Sequence, residues 1–175
     1  MNIFLTGYRC TGKTCVGKAL AKVLKRPFLD ADLELVKEQS MSIKDIVAKK
    51  GWDAFRKMEH AVIKRICSLE NYVVATGGGV VLSRLNVELM KKSGVVVWLK
   101  ADPKTIEKRI VEDESTDDFR PALTSKGLVE EIEEVLSERK TFYEEAMDFS
   151  VDTDFSDIDE ITDTIIGKID FYDKQ

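Results

Sequence analysis

The chain has 175 residues, of which 43% are hydrophobic and 34% are charged. This length and composition are typical of one globular domain and exclude a disordered or collagen-like chain. The net charge of −5 argues against a nucleic-acid partner, no apolar run approaches the roughly 18 residues of a membrane span, and the first residues lack a signal-peptide pattern.

Short apolar runs alternate with longer amphipathic stretches along the chain. The predicted strands are residues 2–6, 27–30, 72–75, 95–99 and 149–151. The predicted helices are residues 13–25, 33–39, 42–50, 52–69, 84–92, 102–111, 126–146 and 157–171. Strands that alternate with helices need crossover connections, so we expect an α/β fold with a mostly parallel sheet and helices on both faces.

The strongest signal for function is a glycine-rich loop, GYRCTGKT, at residues 7–14. It fits the pattern G-x-x-x-x-G-K-[ST], follows a predicted strand and opens a predicted helix. Glycines let backbone N–H groups face phosphate oxygens, and the helix N-terminus adds positive partial charge. The motif predicts a nucleotide site in which Lys13 reaches the β- and γ-phosphates and Thr14 holds Mg²⁺. An ordinary glycine turn with a surface lysine is the alternative.

Two further motifs follow the second and third predicted strands. Asp30 and Asp32 come directly after FL, and glycines occupy positions 77–79. Because the carboxyl ends of parallel strands share one edge of a sheet, these motifs should face the same crevice as the glycine-rich loop. One carboxylate would reach Mg²⁺ through water and the other would take a proton from a substrate hydroxyl, unless Asp32 only caps the next helix. The glycines either admit a ligand close to the backbone or form a flexible turn.

Three arginines are candidates for binding a ligand in this crevice. Arg139 falls on the apolar stripe of its predicted helix, so it either forms a structural salt bridge or reaches a cleft. The residues of that stripe are Leu128, Ile132, Val135, Leu136, Phe142 and Tyr143. Arg56 and Glu59 are spaced i, i+3, which lets the carboxylate orient the guanidinium, although a solvated helix face is the simpler interpretation. Arg120 follows the acidic segment EDESTDDF at residues 112–119, which we expect to be a mobile loop. There it is either a lid arginine that closes over ATP or a surface residue.

Taken together, these motifs resemble those of the shikimate kinase family. The matching segments are GYRCTGKT, FLDAD, FRKMEH, ATGGGVV, VVVWLKAD, FRPAL and ERKTFYEEAM, in the same order and spacing over most of the chain. The resemblance implies a three-layer P-loop fold of the nucleoside-monophosphate-kinase type, with a five-stranded parallel sheet in order 2-3-1-4-5. It also implies one domain over residues 1–175, with a mobile lid at about 112–125 and substrate-binding helices at about 33–69.

The activity that the resemblance implies is transfer of the γ-phosphoryl group of ATP, with Mg²⁺, to the 3-hydroxyl of shikimate, a step in the synthesis of chorismate and aromatic amino acids. We expect a monomer with shikimate as its small-molecule substrate and with no nucleic-acid or membrane partner. The three cysteines show no paired spacing, which indicates reduced thiols and a cytoplasmic protein.

The resemblance also implies roles for single residues. Asp30 would reach Mg²⁺ through water, beside Thr14, while Asp32 would bind the substrate hydroxyls and act as the base. The catalytic group would be Lys13, Asp32 and Arg120. The remaining shikimate contacts would be Arg56, Gly78, Gly79 and Arg139. The ATP contacts would be Gly7, Cys10, Thr11, Gly12, Lys13, Thr14, Cys15, Arg109 and Arg120.

Three features depart from the family pattern. Cys10 stands where a glycine or another small residue is usual. The lid is unusually acidic, and five carboxylates near a triphosphate should weaken ATP binding unless they face solvent or bind cations. The segment DFSD at 154–157 replaces the usual proline-containing segment, so it predicts no adenine contacts.

Two rival functions remain compatible with the motifs. A kinase for another polyol acid, such as gluconate, or for a nucleotide would share the same loop, although nucleoside monophosphate kinases usually carry glycine at the position of Thr14. A non-catalytic module, either a GTP switch or a degenerate kinase, is the second rival. The chain lacks the D-x-x-G and N-K-x-D patterns of GTPases, and it retains Lys13, Asp32 and the arginines that a degenerate kinase should have lost.

Overall fold

A computed structural model describes residues 1–112 and 127–172, apart from the side chains of residues 170–172. The centre of the fold is a parallel sheet. Its strands are β1 (Asn2–Thr6), β2 (Phe28–Asp30), β3 (Val73–Ala75), β4 (Gly94–Lys100) and β5 (Phe149–Asp152). They lie in the order β2-β3-β1-β4-β5, and every pairing is parallel. The order that the sequence resemblance implied is therefore confirmed.

Helices surround the sheet in the described parts of the chain. They are α1 (Lys13–Leu24), α2 (Ala31–Gln39), α3 (Ile43–Ile66), α4 (Arg84–Ser93), α5 (Pro103–Glu112), α6 (Leu128–Ala146) and α7 (Ile158–Tyr172). Each corresponds to predicted helices, with ends that shift by one to three residues. None of the described helices combines the length and the apolar character needed to cross a membrane.

The two faces of the sheet carry different helices. On one face, Ile3 and Leu5 of β1 pack with apolar residues of α1 and α7. On the other face, Phe4 packs with α2, α3, α4 and α6. Because alternate side chains of a strand point to opposite faces, β1 is buried on both sides, as expected for the central strand of a three-layer fold.

Helix α3 and the segment after β3 differ in detail from the prediction. The predicted helices 42–50 and 52–69 form one helical stretch that is interrupted at Gly51, where φ is 79° and ψ is 168°. A short 3-10 helix at Val80–Leu82 was not predicted, because three residues are too few to show a periodic pattern.

The apolar stripe of α6 was assigned partly to the wrong residue. Tyr143 is fully buried, as the pattern predicted, but Phe142 is 43% exposed. Two adjacent residues on a helix are separated by about 100°, and here Tyr143 faces the core while Phe142 lies toward solvent.

Asp30 fixes the start of helix α2. Its carboxylate accepts hydrogen bonds from the backbone N–H groups of Asp32 (3.1 Å) and Leu33 (3.4 Å), and the helix begins at Ala31. The alternative in which Asp32 caps this helix is therefore wrong, and the Asp32 side chain lies in the first turn.

Gly94→Ala tests how closely strands β4 and β1 approach each other. A β carbon at Gly94 would overlap the backbone carbonyl of Asn2, its partner in the sheet register. Since this backbone is held by the ladder, we expect the free energy of unfolding to fall by about 2 kcal/mol in urea denaturation, within the range that overpacking costs.

Gly167→Ala is the matched control for that variant. A β carbon at Gly167, in helix α7, would meet no atom within 4 Å. The better helix propensity of alanine should raise stability by about 0.5–1 kcal/mol. Equal changes in the two variants would contradict this description of the β4–β1 contact.

Candidate active site

The loop between β1 and α1 has the form of a phosphate cradle. Gly12 caps α1 with a left-handed φ of 91°, and a β carbon at Gly7 would overlap the carbonyl oxygen of Leu99. The buried ammonium of Lys13 folds back over the loop and donates to the carbonyl oxygens of Gly7 (2.9 Å) and Tyr8 (2.6 Å). A buried ammonium needs such partners, and phosphate oxygens would supply stronger ones.

Cys10 occupies the position where the sequence departs from the family pattern. Its φ is 58°, in the left-handed region that favours glycine, at a backbone cost of roughly 1–2 kcal/mol. The neighbouring Thr11 hydroxyl donates to the Tyr8 carbonyl at 2.8 Å, so its side chain closes the loop. The Cys10 side chain thus stands where a smaller residue is usual, and the loop is still closed by the Thr11 hydrogen bond.

A cavity of about 730 Å³ opens on the α1 and α7 side of this loop. Five of the nine predicted ATP contacts line it, namely Cys10, Thr11, Gly12, Cys15 and Arg109. Of the other four, Gly7, Lys13 and Thr14 are not among its lining residues, and Arg120 lies outside the described residues. Its remaining lining residues are Val16, Thr153, Ser156, Asp157, Ile158, Asp159 and Ile161. A space of this size suits a drug-sized or nucleotide-sized ligand.

Arg109 holds three parts of this cavity together. Its guanidinium donates to the carbonyl (2.5 Å) and hydroxyl (3.1 Å) oxygens of Thr153 after β5, and to the carbonyl oxygen of Cys10 (3.3 Å). Its helix α5 is thereby tied to the glycine-rich loop. The ATP contact that the resemblance implies for Arg109 stays a prediction.

Thr14 and Asp30 form the candidate magnesium position. The Thr14 hydroxyl donates to Asp30 Oδ2 at 2.9 Å, while Oδ1 caps α2. Hydroxyl and carboxylate oxygens are the hard ligands that Mg²⁺ prefers, and Mg²⁺ commonly takes only one or two protein groups beside phosphates and water. The pair therefore fits a magnesium ion that arrives with ATP, and no group of three or more acidic, histidine or cysteine side chains that could hold a metal ion occurs among the described residues.

A second pocket, the acceptor pocket, lies across the glycine-rich loop from the nucleotide cavity. It brings together every residue predicted to contact the substrate, namely Asp32, Arg56, Gly78, Gly79 and Arg139. Its other lining residues are Tyr8, Arg9, Ile43, Trp52, Phe55, Glu59 and Gly77. The site residues come from the loop after β1, helices α2, α3 and α6, and the segment after β3.

Arg56 is held rigidly at one wall of the acceptor pocket. Its Nη1 donates to both carboxylate oxygens of Glu59, at 2.9 and 2.7 Å, and its guanidinium lies over the rings of Phe55 and Trp52 at 5.2 and 5.5 Å. Glu59 is 4% exposed, so the interpretation of this pair as a solvated helix face is wrong. Burial raises the pKa of Glu59, and the nearby Arg56 opposes this rise.

Arg139, another residue of the acceptor pocket, is held by a hydrogen bond to the backbone. Its Nη1 donates to the carbonyl oxygen of Gly78 at 3.2 Å, and the same oxygen accepts from the Tyr143 hydroxyl at 2.5 Å. The Tyr143 ring stacks on Trp98, with centroids 5.3 Å apart. Among the described residues Arg139 forms no ion pair, so its charge is available for an anion.

The glycines after β3 leave room for the charged side chains. A β carbon at Gly77 would lie 2.7 Å from Asp32 Oδ1 and 3.1 Å from Glu59 Oε1, and one at Gly79 would overlap the Arg56 guanidinium. Gly77 was not assigned a role from the sequence, although the triple glycine marked it. Glycine at positions 77 and 79 thus lets Asp32, Glu59 and Arg56 lie close to the backbone. This explains the glycines without a flexible turn.

Several residues of the acceptor pocket were missed from the sequence. Trp52 and Phe55 belong to an ordinary amphipathic pattern, and Arg9 is an unspecified position of the loop motif, so neither spacing nor composition marked them. Arg120 and residues 113–126, which include nearly all of the predicted lid, lie outside the described residues. The proposed roles of Arg120 and the lid stay predictions.

Sequence comparison gives a consistent result over most of the chain. The family profile described as shikimate kinase matches residues 9–170. The chain is 40% identical, over 175 residues, to the shikimate kinase of Syntrophus aciditrophicus (strain SB), covering 95% of this chain and 90% of that protein. It is 41% identical, over 165 residues, to the shikimate kinase of Caldanaerobacter subterraneus subsp. tengcongensis, covering 94% of each.

Structural comparison agrees with the sequence comparison. The solved structure of shikimate kinase from Acinetobacter baumannii in complex with shikimate matches with a TM-score of 0.89 and 31% identity, over 96% of this chain and 92% of that one. Because the family profile and these relatives cover nearly the whole chain, and the fold agrees with them, the chain belongs to the shikimate kinase family of ATP- and Mg²⁺-dependent kinases.

Proposed function

We propose that the chain transfers the γ-phosphoryl group of ATP to the 3-hydroxyl of shikimate, giving shikimate 3-phosphate and ADP. The observation that carries this proposal is the acceptor pocket, in which two arginines and the Asp32 carboxylate lie together beside the glycine-rich loop. Shikimate has one planar carboxylate and three hydroxyls, so it needs a cationic clamp and a hydrogen-bond acceptor. The relative from Acinetobacter baumannii was solved with shikimate bound.

The two arginines would orient the substrate through its carboxylate. Arg139 forms no ion pair with a described carboxylate, and Arg56 is held in place by Glu59 and two aromatic rings. Fixed guanidinium groups lose little entropy when they bind, so they hold the ring in one orientation. The backbone of Gly78 and Gly79 forms the nearby wall against which the ring would lie.

Asp32 would bind the substrate hydroxyls and take the proton of the attacking one. It lines the acceptor pocket from the first turn of α2, whose start is fixed by Asp30. In phosphoryl transfer, correct placement of the nucleophile contributes more than covalent chemistry does. A carboxylate on a capped helix end is well suited to that placement.

The nucleotide side would neutralise the charge that develops on the phosphates. Lys13 would exchange its two carbonyl partners for phosphate oxygens. Thr14 and Asp30 would hold Mg²⁺, which, when bound, neutralises phosphate charge and orients the phosphates. Arg120 would add a further positive charge from the lid, and closure of the lid would exclude water so that ATP is not hydrolysed.

We further propose that residues 1–175 act as one P-loop kinase domain, with the lid at about 112–125 and substrate-binding helices at about 33–69. The protein would work as a cytoplasmic monomer without nucleic-acid or membrane partners. The net charge of −5 supports the absence of a nucleic-acid partner, because nucleic acids are negatively charged and bind basic protein surfaces.

A coupled assay of ADP release with Mg·ATP tests the proposed function. We expect ADP formation that depends on shikimate and is much slower with quinate or gluconate, because the pocket presents its arginines and Asp32 at fixed positions. Faster turnover with gluconate or quinate would assign the pocket to another acceptor, and ATP binding without any turnover would favour a non-catalytic module.

Asp32→Asn should leave ATP binding intact and lower kcat by about 10²–10⁴-fold, the range typical of a general base. The amide keeps the size of the side chain but cannot accept the proton. Nucleotide titration and steady-state kinetics would measure the two effects. Asp163→Asn, an exposed change on α7, is the control, and near-parental turnover of Asp32→Asn would remove Asp32 as the base.

Arg139→Ala should raise the KM for shikimate about 30- to 100-fold, since hydrogen bonds to charged groups contribute roughly 1.5–3 kcal/mol. The KM for ATP should change little, because the nucleotide cavity is lined by other residues. The exposed neighbour Lys140 provides the control Lys140→Ala. An unchanged KM for shikimate would contradict the carboxylate clamp.

A further inference from the structure

A buried ion pair at the wall of the acceptor pocket has no role in the mechanism described above. Arg9 of the glycine-rich loop donates through Nη2 to Oε1 of Glu131, in the first turn of α6, at 2.5 Å. The Glu131 side chain is 3% exposed and that of Arg9 is 12% exposed. The Tyr8 hydroxyl also lies 3.4 Å from the same Glu131 oxygen. Arg9 itself lines the acceptor pocket.

The three arginines of the acceptor pocket differ in how their charges are compensated. Arg56 pairs with Glu59, and Arg9 pairs with Glu131. Arg139, by contrast, donates to the neutral carbonyl oxygen of a glycine and has no carboxylate partner among the described residues. The substrate carboxylate should therefore make its strongest ion pair with Arg139, while Arg56, already paired with Glu59, completes the clamp.

We propose that Glu131 is a positioning residue, which neutralises Arg9 and so directs the carboxylate of the acceptor to Arg139. This inference rests on the proposed function. Arg9 belongs to the glycine-rich loop, which would hold the phosphates of ATP. A substrate carboxylate that bound at Arg9 would occupy the place from which the reacting hydroxyl must approach the γ-phosphoryl group. The hydroxyl would then point away from ATP.

Burial makes this compensation important. A buried charge that loses its ion-pair partner is strongly destabilised. Binding of another anion would then relieve that destabilisation. The Nε atom of Arg9 is buried and lacks a hydrogen-bond partner in the described part of the chain, so Glu131 is the main group that satisfies this guanidinium. Burial also raises the pKa of Tyr8, so its hydroxyl stays neutral and cannot replace the charge of Glu131.

Glu131→Gln tests the proposal, because the amide keeps the shape of the side chain and removes its charge. Arg9 then becomes a second anion site, and the acceptor binds there without reacting. Non-productive binding lowers kcat and the KM for shikimate in the same proportion, about tenfold here, and leaves kcat/KM nearly unchanged. The exposed neighbouring residue provides the control Glu130→Gln, which should not change either constant.

Repeating the change in an Arg9→Met background tests whether Glu131 acts through Arg9. With Arg9 absent, replacement of Glu131 by glutamine should have no further effect on kcat or on the KM for shikimate. A role of Glu131 through its other contacts predicts the same loss in both backgrounds, whereas the equal fall in kcat and KM in the first background distinguishes positioning from a structural role. Glu131→Asp keeps the charge and should not show the paired fall in kcat and KM.

The possible results lead to distinct conclusions. An unchanged KM, or a raised KM, in Glu131→Gln would overturn the proposal. If that variant does not fold, the comparison of Arg9→Met with Arg9→Met/Glu131→Gln decides, and a change of more than about threefold in the KM for shikimate overturns it. A parent protein that does not phosphorylate shikimate would instead refute the proposed function itself.

Discussion

One carboxylate group joins the two halves of the active site. Asp30 Oδ2 accepts a hydrogen bond from Thr14, at the start of α1 and beside the phosphate cradle. Asp30 Oδ1 accepts from the first turn of α2, which carries Asp32 into the acceptor pocket. Because β2 and β1 are parallel and end at the same edge of the sheet, one short side chain at the end of β2 reaches both helices. The spacing between the nucleotide and its acceptor thus depends on this residue.

The acceptor pocket distributes charge partners unequally among its three arginines. Arg56 and Arg9 each have a buried carboxylate partner, and Arg139 has a backbone carbonyl. Buried ion pairs contribute little net stability, because desolvation offsets most of their attraction. In the proposed mechanism their value would be positional, since they would hold two guanidinium groups at the pocket wall while the third remains available to a substrate anion. The glycines of residues 77–79 make this arrangement possible, as a β carbon at Gly77 or Gly79 would collide with it.

The sequence predicted the strands and the motifs well. Its predictions were wrong where the burial of a side chain depends on contacts with residues far away in the chain. Its pattern of alternating strands and helices led to the parallel sheet, and the motif resemblance led to the strand order. The pattern assigned both Phe142 and Tyr143 to the core, although only Tyr143 faces it. Local spacing alone also favoured a solvated helix face for Arg56 and Glu59, because spacing carries no information on burial against the segment after β3, whereas the resemblance assigned Arg56 to the substrate site.

The amino-acid sequence by itself determined the class of fold, the phosphate-binding loop and the family, because each of these is written in short runs of neighbouring residues. Only the tertiary structure decided which charges compensate one another. Arg9 meets Glu131 across 122 positions, and Tyr143 reaches the carbonyl of Gly78 across 65. Contacts between such distant residues depend on how helices pack on the sheet, and packing depends on the whole set of buried side chains rather than on any local pattern.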